Sequence, residues 1–308
     1  MKVNILIPYA VPFTVMFKKD SKVRGTFIRC EDIGFKKLTR GKDFMLQASP
    51  MEWGSSNTCG LSPLEDVITI ATSLAPGKDL HNQQMAINSW LKLGFKVISM
   101  NSSEEIAALQ SYFPDIEFVK AHRDGRDKFT KPYIYFDDCL AYFAKSESTI
   151  CGIVNSDIYL LKEEFYSFLK KEAIHSFVYG SRVDVEIIGK LNGTLFELGF
   201  DYFFFNKQII PHYPQSNFLI GLPMWDFWAV LIPICFRIPV KKVITPHAYH
   251  IIHKTNWDHK IWCVFRDELL RYIKPTANLP INTYSMYLLG VIAKYSIEIS
   301  LWDDDIYK

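Results

Sequence analysis

The chain predicts an α/β fold built on a largely parallel sheet, and three observations carry that expectation. From Val67 onward, short β-branched runs alternate with amphipathic stretches, the pattern of right-handed strand–helix–strand units. The run from Thr149 to Val154 is short and rich in apolar residues, as strands buried on both faces are. It ends abruptly in Asn155-Ser156-Asp157, and polar groups at a strand's carboxyl end lie where open α/β sheets bind ligands.

Residues 1–66 show no sustained period and read as an extension that wraps or decorates the main domain. Residues 67–260 form that domain, and residues 261–308 a helical segment packed on it. Val67 to Thr72 is the first strand, closed by the turn Ser73 to Gly77. A helix from Asp79 to Leu93 places Ala86, Ile87, Trp90 and Leu91 on one face, and Gly94 stops it. Phe95 to Met100 is the second strand, Ser102-Ser103-Glu104-Glu105 a capping box, and Ile116 to Val119 the third strand. Lys131-Pro132 starts a helix that runs to Lys145, with proline in its first turn. Beyond Asp157 come a short helix (Phe165 to Leu169), a strand (Ser176 to Tyr179) and an aromatic strand from Gly199 to Phe205 that carries Asp201. A helix at Trp225-Asp226, a strand at Val243 to Thr245, and helices at Trp262 to Ile273 and Tyr284 to Tyr295 complete the pattern.

Composition narrows the classes. With 308 residues, 49% hydrophobic and 22% charged, the chain is a globular protein with a sizeable core. A net charge of +2 does not suggest a nucleic-acid partner. Charge is uneven, however: Lys18 to Lys42 holds nine Lys or Arg against three acids, a basic arm that suits contact with anionic lipid headgroups. Four of the six cysteines lie in apolar stretches and no CxxC pair exists, which favours a reducing, cytoplasmic compartment, with membrane association expected through the basic arm. Phe218 to Phe236 is the most apolar run, but it contains Asp226, Pro223 and Pro233, so it reads as a buried helix with a functional acid.

No GxGxxG follows the first strand, and no GxxxxGK[ST], GxSxG or HExxH occurs, so dehydrogenase, P-loop, serine-hydrolase and zincin readings lose their main support. What remains is an α/β half, an acid-bearing turn in mid-chain, and later isolated acids with His247, His250 and His253. This layout, over roughly Val67 to Asp258, resembles the GT-A fold of nucleotide-sugar glycosyltransferases, a Rossmann-type mixed sheet flanked by helices. The resemblance implies a nucleotide-sugar donor beside Thr72, Ser73 and Asn101. The family's Asp-any-Asp signature falls on Asn155, Ser156 and Asp157, with Asn in place of the first acid. It also implies a divalent cation, Mn²⁺ or Mg²⁺, on Asp157 with one late histidine, drawn from His247, His250 and His253. Lys131 would grip the pyrophosphate, with Arg123, Arg126 and Arg182 as further cations. Asp226 would be the base of an inverting transfer, its neighbouring rings stacking on a sugar, with Asp201 as the alternative acid. The implied acceptor is the hydroxyl of a glycan or a lipid-linked glycan. The rival readings are a sugar nucleotidyltransferase and an inactive glycan- or protein-binding member.

Overall fold

The computed structural model describes residues 2–4, 14–16, 67–77, 79–189, 192–253, 258–273, 275 and 283–301. The basic arm at 18–42 lies outside the described residues. Near the N-terminus Lys2–Asn4 (β1) and Thr14–Met16 (β2) pair antiparallel.

The main body is a three-layer α/β structure. Its elements begin with β3 (Thr69–Thr72), α1 (Leu80–Lys92), β4 (Lys96–Asn101), α2 (Ser103–Leu109), β5 (Glu117–Lys120), α3 (Phe136–Lys145) and β6 (Ile150–Val154). There follow β7 (Ile158–Leu160), α4 (Phe165–Glu172), β8 (Phe177–Gly180), β9 (Val183–Val185), β10 (Thr194–Leu195) and β11 (Tyr202–Asn206). The last elements are α5 (Trp225–Cys235), β12 (Val240–Val243), β13 (Ala248–Ile251), α6 (His259–Leu270), α7 (Tyr284–Tyr295) and β14 (Ser296–Ile299).

Eight strands form one sheet in the order β14-β12-β8-β11-β6-β3-β4-β5. Neighbours in it are parallel except where β11 pairs antiparallel with β6 and β8. The mixed, largely parallel sheet expected from the sequence is therefore present. Strand alternation divides the aromatic run of β11 between two cores. Tyr202 and Phe204 join Trp90 of α1 and Phe165 of α4 on one face, while Phe203 and Phe205 join Phe143 of α3 and Trp225 of α5 on the other. Ten of the eleven residues of α5 are buried, which explains its apolar character all round. No helix among the described residues is long and apolar enough to cross a membrane.

Several elements differ from expectation. The helix expected from Lys131 begins at Phe136. Bridges between Asp124 and Ile134, and between Tyr135 and Leu219, hold the preceding segment extended, and Pro132 disfavours a helical Lys131. Ser296–Ile299, which no pattern announced, extends the sheet as its edge strand beside β12. The strand expected at Val243 to Thr245 lies slightly earlier, at Val240–Val243. A second sheet, β10-β9-β13-β7, was not anticipated at all. It matters most for the site.

Candidate active site

Chain order in the large sheet reverses at β3. The chain steps outward from β3 to β4 and β5, then returns to place β6 on the other side of β3. The carboxyl ends of β3 and β6 thus flank the kind of switch-point crevice that receives ligands in open α/β sheets. Thr72 ends β3; its hydroxyl is buried and has no partner among the described residues. Ser73, Asn155 and Ser156, from the turns after β3 and β6, are partly exposed.

The second sheet brings distant residues to this edge by register. His250 lies opposite Ile158 on β7, next to Asp157 in sequence, and opposite Asp184 on β9. As a result His250 Nε2 is 3.5 Å and His253 Nε2 3.1 Å from Asp157 Oδ2. Ligand atoms of Asp157, His250 and His253 all lie within 4.8 Å of one another. His250 Nδ1 meets Asp184 Oδ1 at 2.8 Å. That contact fits the carboxylate–histidine pairing which orients metal-bound imidazoles and leaves Nε2 for the ion. Ligands at right angles around an ion with bonds of about 2.1 Å sit about 3 Å apart, close to the 3.1 and 3.5 Å between Asp157 Oδ2 and the two imidazoles. The donor set of carboxylate and imidazole suits Mn²⁺ or Zn²⁺ better than Mg²⁺.

Without an ion these groups compensate one another. Burial alone would raise the Asp157 carboxyl, but hydrogen bonds and charge from His250 and His253 outweigh it and hold it well below the usual carboxylate range. Burial likewise opposes charge on His250, yet Asp157 and Asp184 raise it to about 9. His247 behaves oppositely. It is 1% exposed, sits 4.3 Å from the Phe165 ring centroid and 4.9 Å from that of Tyr202, and its Nδ1 meets the Thr245 carbonyl at 2.8 Å. Burial lowers it to about 4. It is a core histidine, outside the cluster.

Two further acids follow: Asp201 feels the Asp157 charge, and Asp226 feels that of Asp201. Asp201, 3% exposed, immediately precedes β11; its Oδ1 accepts from Arg182 Nη1 at 2.7 Å and from Asn155 Nδ2 at 3.1 Å. Its Oδ2 is buried without a partner among the described residues, and burial raises the carboxyl despite Arg182. Asp226 stands in the first turn of α5 behind Met224, whose φ of 71° is unusual for a residue with a side chain. Its Oδ2 accepts from the Phe200 amide at 3.3 Å, and a Cβ on Gly199 would lie 3.1 Å from that oxygen. Burial without a cation pushes Asp226 up to about 7.

Other sequence candidates take different places. Asn101 is fully buried; its amide donates to the Leu74 carbonyl at 2.7 Å and to Glu105 at 3.0 Å, so it braces the turn after β3 from inside. Lys131 is exposed on the extended segment, with no helix N-terminus directly behind it. Arg123 lies over the Tyr135 ring at 3.7 Å and donates to the Ser216 carbonyl, and Arg126 pairs with Asp124 and Glu104. Both are committed internally. Trp225 and Trp228 are 3% and 0% exposed, so neither ring can stack on a sugar, contrary to expectation. Sequence reasoning passed over Asp184 as a supporting group and ranked Arg182 last among the cations. The alternate spacing Arg182-x-Asp184, at the entry to β9, was the available signal.

The sequence matches no protein-family model and no curated protein. Among solved structures, S. aureus TarS 1-349 in complex with UDP-GlcNAc is similar at 13% identity and a TM-score of 0.41, over 74% of this chain and 71% of that one. The 4-diphosphocytidyl-2C-methyl-D-erythritol synthase of Anaerococcus prevotii is similar at 11% identity and 0.38, over 67% and 99%. HddC of Yersinia pseudotuberculosis is similar at 12% identity and 0.34, over 60% and 89%. Likeness of this degree fixes neither activity nor substrate.

Proposed function

We propose that the chain is a metal-assisted transferase that moves a sugar from a nucleotide-sugar donor to a hydroxyl acceptor of a glycan or lipid-linked glycan. The observation that carries this reading is the Asp157, His250 and His253 cluster, set beside a switch-point crevice edged by Thr72 and Asn155. In this reading the nucleotide occupies the crevice, with Thr72, Ser73, Asn155 and Ser156 as hydrogen-bonding groups. The buried Thr72 hydroxyl, lacking a protein partner, is a group whose desolvation a ligand could compensate.

A divalent ion, Mn²⁺ by preference, would be held by Asp157, His250 and His253 and would supply charge stabilisation to the departing diphosphate. One carboxylate against two neutral imidazoles leaves such a centre net positive, as an anionic diphosphate requires. Asp226 is assigned the base. A carboxyl near pKa 7 is matched to taking a hydroxyl proton at neutral pH. Asp201, tied through one oxygen to Arg182 and Asn155, is better suited to accepting a sugar hydroxyl than to moving a proton.

The deciding experiment is nucleotide release from a panel of UDP-, GDP-, CDP- and dTDP-sugars, with and without Mn²⁺, by the native chain and Asp157→Asn. Donor-specific release that needs Asp157 and Mn²⁺ is the expected result. Release of pyrophosphate from a nucleoside triphosphate and a sugar phosphate would replace the reading with a nucleotidyltransferase. Inertness towards every donor, with no shift in melting temperature, would leave only a binding protein.

A further inference from the structure

Arg182 joins two parts of the site that lie on different sheets. Its Nε donates to Asp184 Oδ1 at 2.7 Å and its Nη1 to Asp201 Oδ1 at 2.7 Å. The Phe196 ring lies against the guanidinium at 4.2 Å, and the Phe196 amide donates to the Arg182 carbonyl at 2.9 Å. Each carboxylate oxygen that Arg182 holds is also held from the other side. Asp184 Oδ1 meets His250 Nδ1 at 2.8 Å, and Asp201 Oδ1 accepts from Asn155 Nδ2 at 3.1 Å.

Followed round, the contacts close on themselves. Asp157 touches His250, His250 touches Asp184, Arg182 spans Asp184 and Asp201, and Asp201 touches Asn155, two residues before Asp157. The ring fastens the ends of β6 and β11 in the large sheet to β9 and β13 in the small one. A group with donors fixed in several directions holds both carboxylates in one geometry. The guanidinium is such a group; a lysine ammonium on a flexible stem is not.

We propose that Arg182 is the positioning residue of this site. Through Asp184 it fixes the His250 ring so that Nε2 is presented to the ion. Through Asp201 Oδ1 it fixes a second carboxylate whose buried Oδ2 is left to accept from a sugar hydroxyl. The inference rests on the ion-binding reading above.

The test is Mn²⁺ affinity, read from the electron paramagnetic resonance of the free ion, alongside circular dichroism and melting of the metal-free chain. Arg182→Gln is expected to weaken Mn²⁺ by about 10- to 100-fold, the usual cost of losing an outer-shell partner. Arg182→Lys should keep the melting temperature near that of the native chain yet recover little of the affinity. Should Arg182→Gln fail to fold, the charge-compensated pair Arg182→Gln with Asp201→Asn carries the same measurement, because it leaves no unpaired acid at Asp201. Native affinity in folded Gln variants, or full recovery by Lys, overturns the positioning role while the ion reading stands. If the native chain itself binds no Mn²⁺, both fall together.

Discussion

The surroundings of His247 and of His250 differ more than three residues of separation suggest. Both imidazoles are nearly inaccessible, at 1% and 5% exposure. One is wedged between Phe165 and Tyr202 and is lowered to about 4; the other lies between Asp157 and Asp184 and is raised to about 9. Burial penalises the charged form in both, and only opposing charge reverses the outcome. The same division separates two acids. Asp157, beside two imidazoles, is held low, whereas Asp226, which burial and the Asp201 charge raise against the pull of backbone amides, reaches about 7. The molecule therefore contains a compensated ring and, beside it, uncompensated pockets whose groups are kept near neutrality.

The largest expected effect comes from an uncompensated pocket. Asp226→Asn should lower kcat for sugar transfer by about 10²- to 10⁴-fold, measured at saturating donor, with little change in Mn²⁺ affinity. Its stability signature has a defined sign. The folded chain retains a proton at Asp226 between its ordinary value of 3.8 and about 7, so stability falls as pH rises through that window. The Asn variant should lose that fall in a melting series from pH 4 to 8. An unchanged profile would place Asp226 on the compensated side.

Next in size is Asp157→Asn, which removes the acid of the ring. Donor hydrolysis should drop by about 10²- to 10³-fold, and Mn²⁺ should no longer raise the melting temperature. His247→Phe should leave Mn²⁺ binding intact, and a loss there would break the contrast between the histidines.

A smaller effect appears in the pH dependence of metal-free stability. His247 stays neutral in the folded chain while the unfolded chain protonates, so its contribution is lost as pH falls from 6.5 towards 4. His250 holds a proton that the unfolded chain releases, so its contribution is present below 6.5 and lost as pH rises through about 9. His247→Phe should flatten the acid limb and His250→Gln the alkaline limb of a urea-denaturation series. Both slopes are bounded at about 1.4 kcal/mol per pH unit.

The smallest effect comes from the cap of α2, which touches none of the ring's side chains. Ser102 accepts from the Glu105 amide while Glu105 returns to the Ser102 amide, a complete capping box. Ser102→Ala should cost about 1 kcal/mol in chemical denaturation and leave metal binding untouched.

Legibility in the sequence follows the same physical line. The strands and helices of the large sheet were readable because apolar runs and caps are local signals: Lys96–Asn101, the Ser102 cap and Tyr284–Tyr295 lie where the pattern puts them. The small sheet was not readable, because β7, β9, β10 and β13 are two to four residues long and too short for a period to show. Since that sheet supplies the register that gathers Asp157, Asp184 and His250, the sequence named two histidines of the cluster without their orienting acid. Trp225 and Asn101 misled for another reason. Residue type suggests a ligand contact, but burial assigns them to packing and to bracing a turn.

The closed ring also bears on the order in which the chain acquires structure. β3, β4, β5 and β6 complete their mutual pairings within residues 69–154, whereas the ring needs partners from 155 to 250. Contacts between distant segments carry the larger loop-closure cost and form late. In refolding, amide protection of the paired strands β3 and β4 should therefore return before competence to bind Mn²⁺. Between the two lies an interval in which the sheet exists and Asp157, Asp184 and Asp201 still lack their shared cations, so added Mn²⁺ should shorten the second phase and leave the first unchanged.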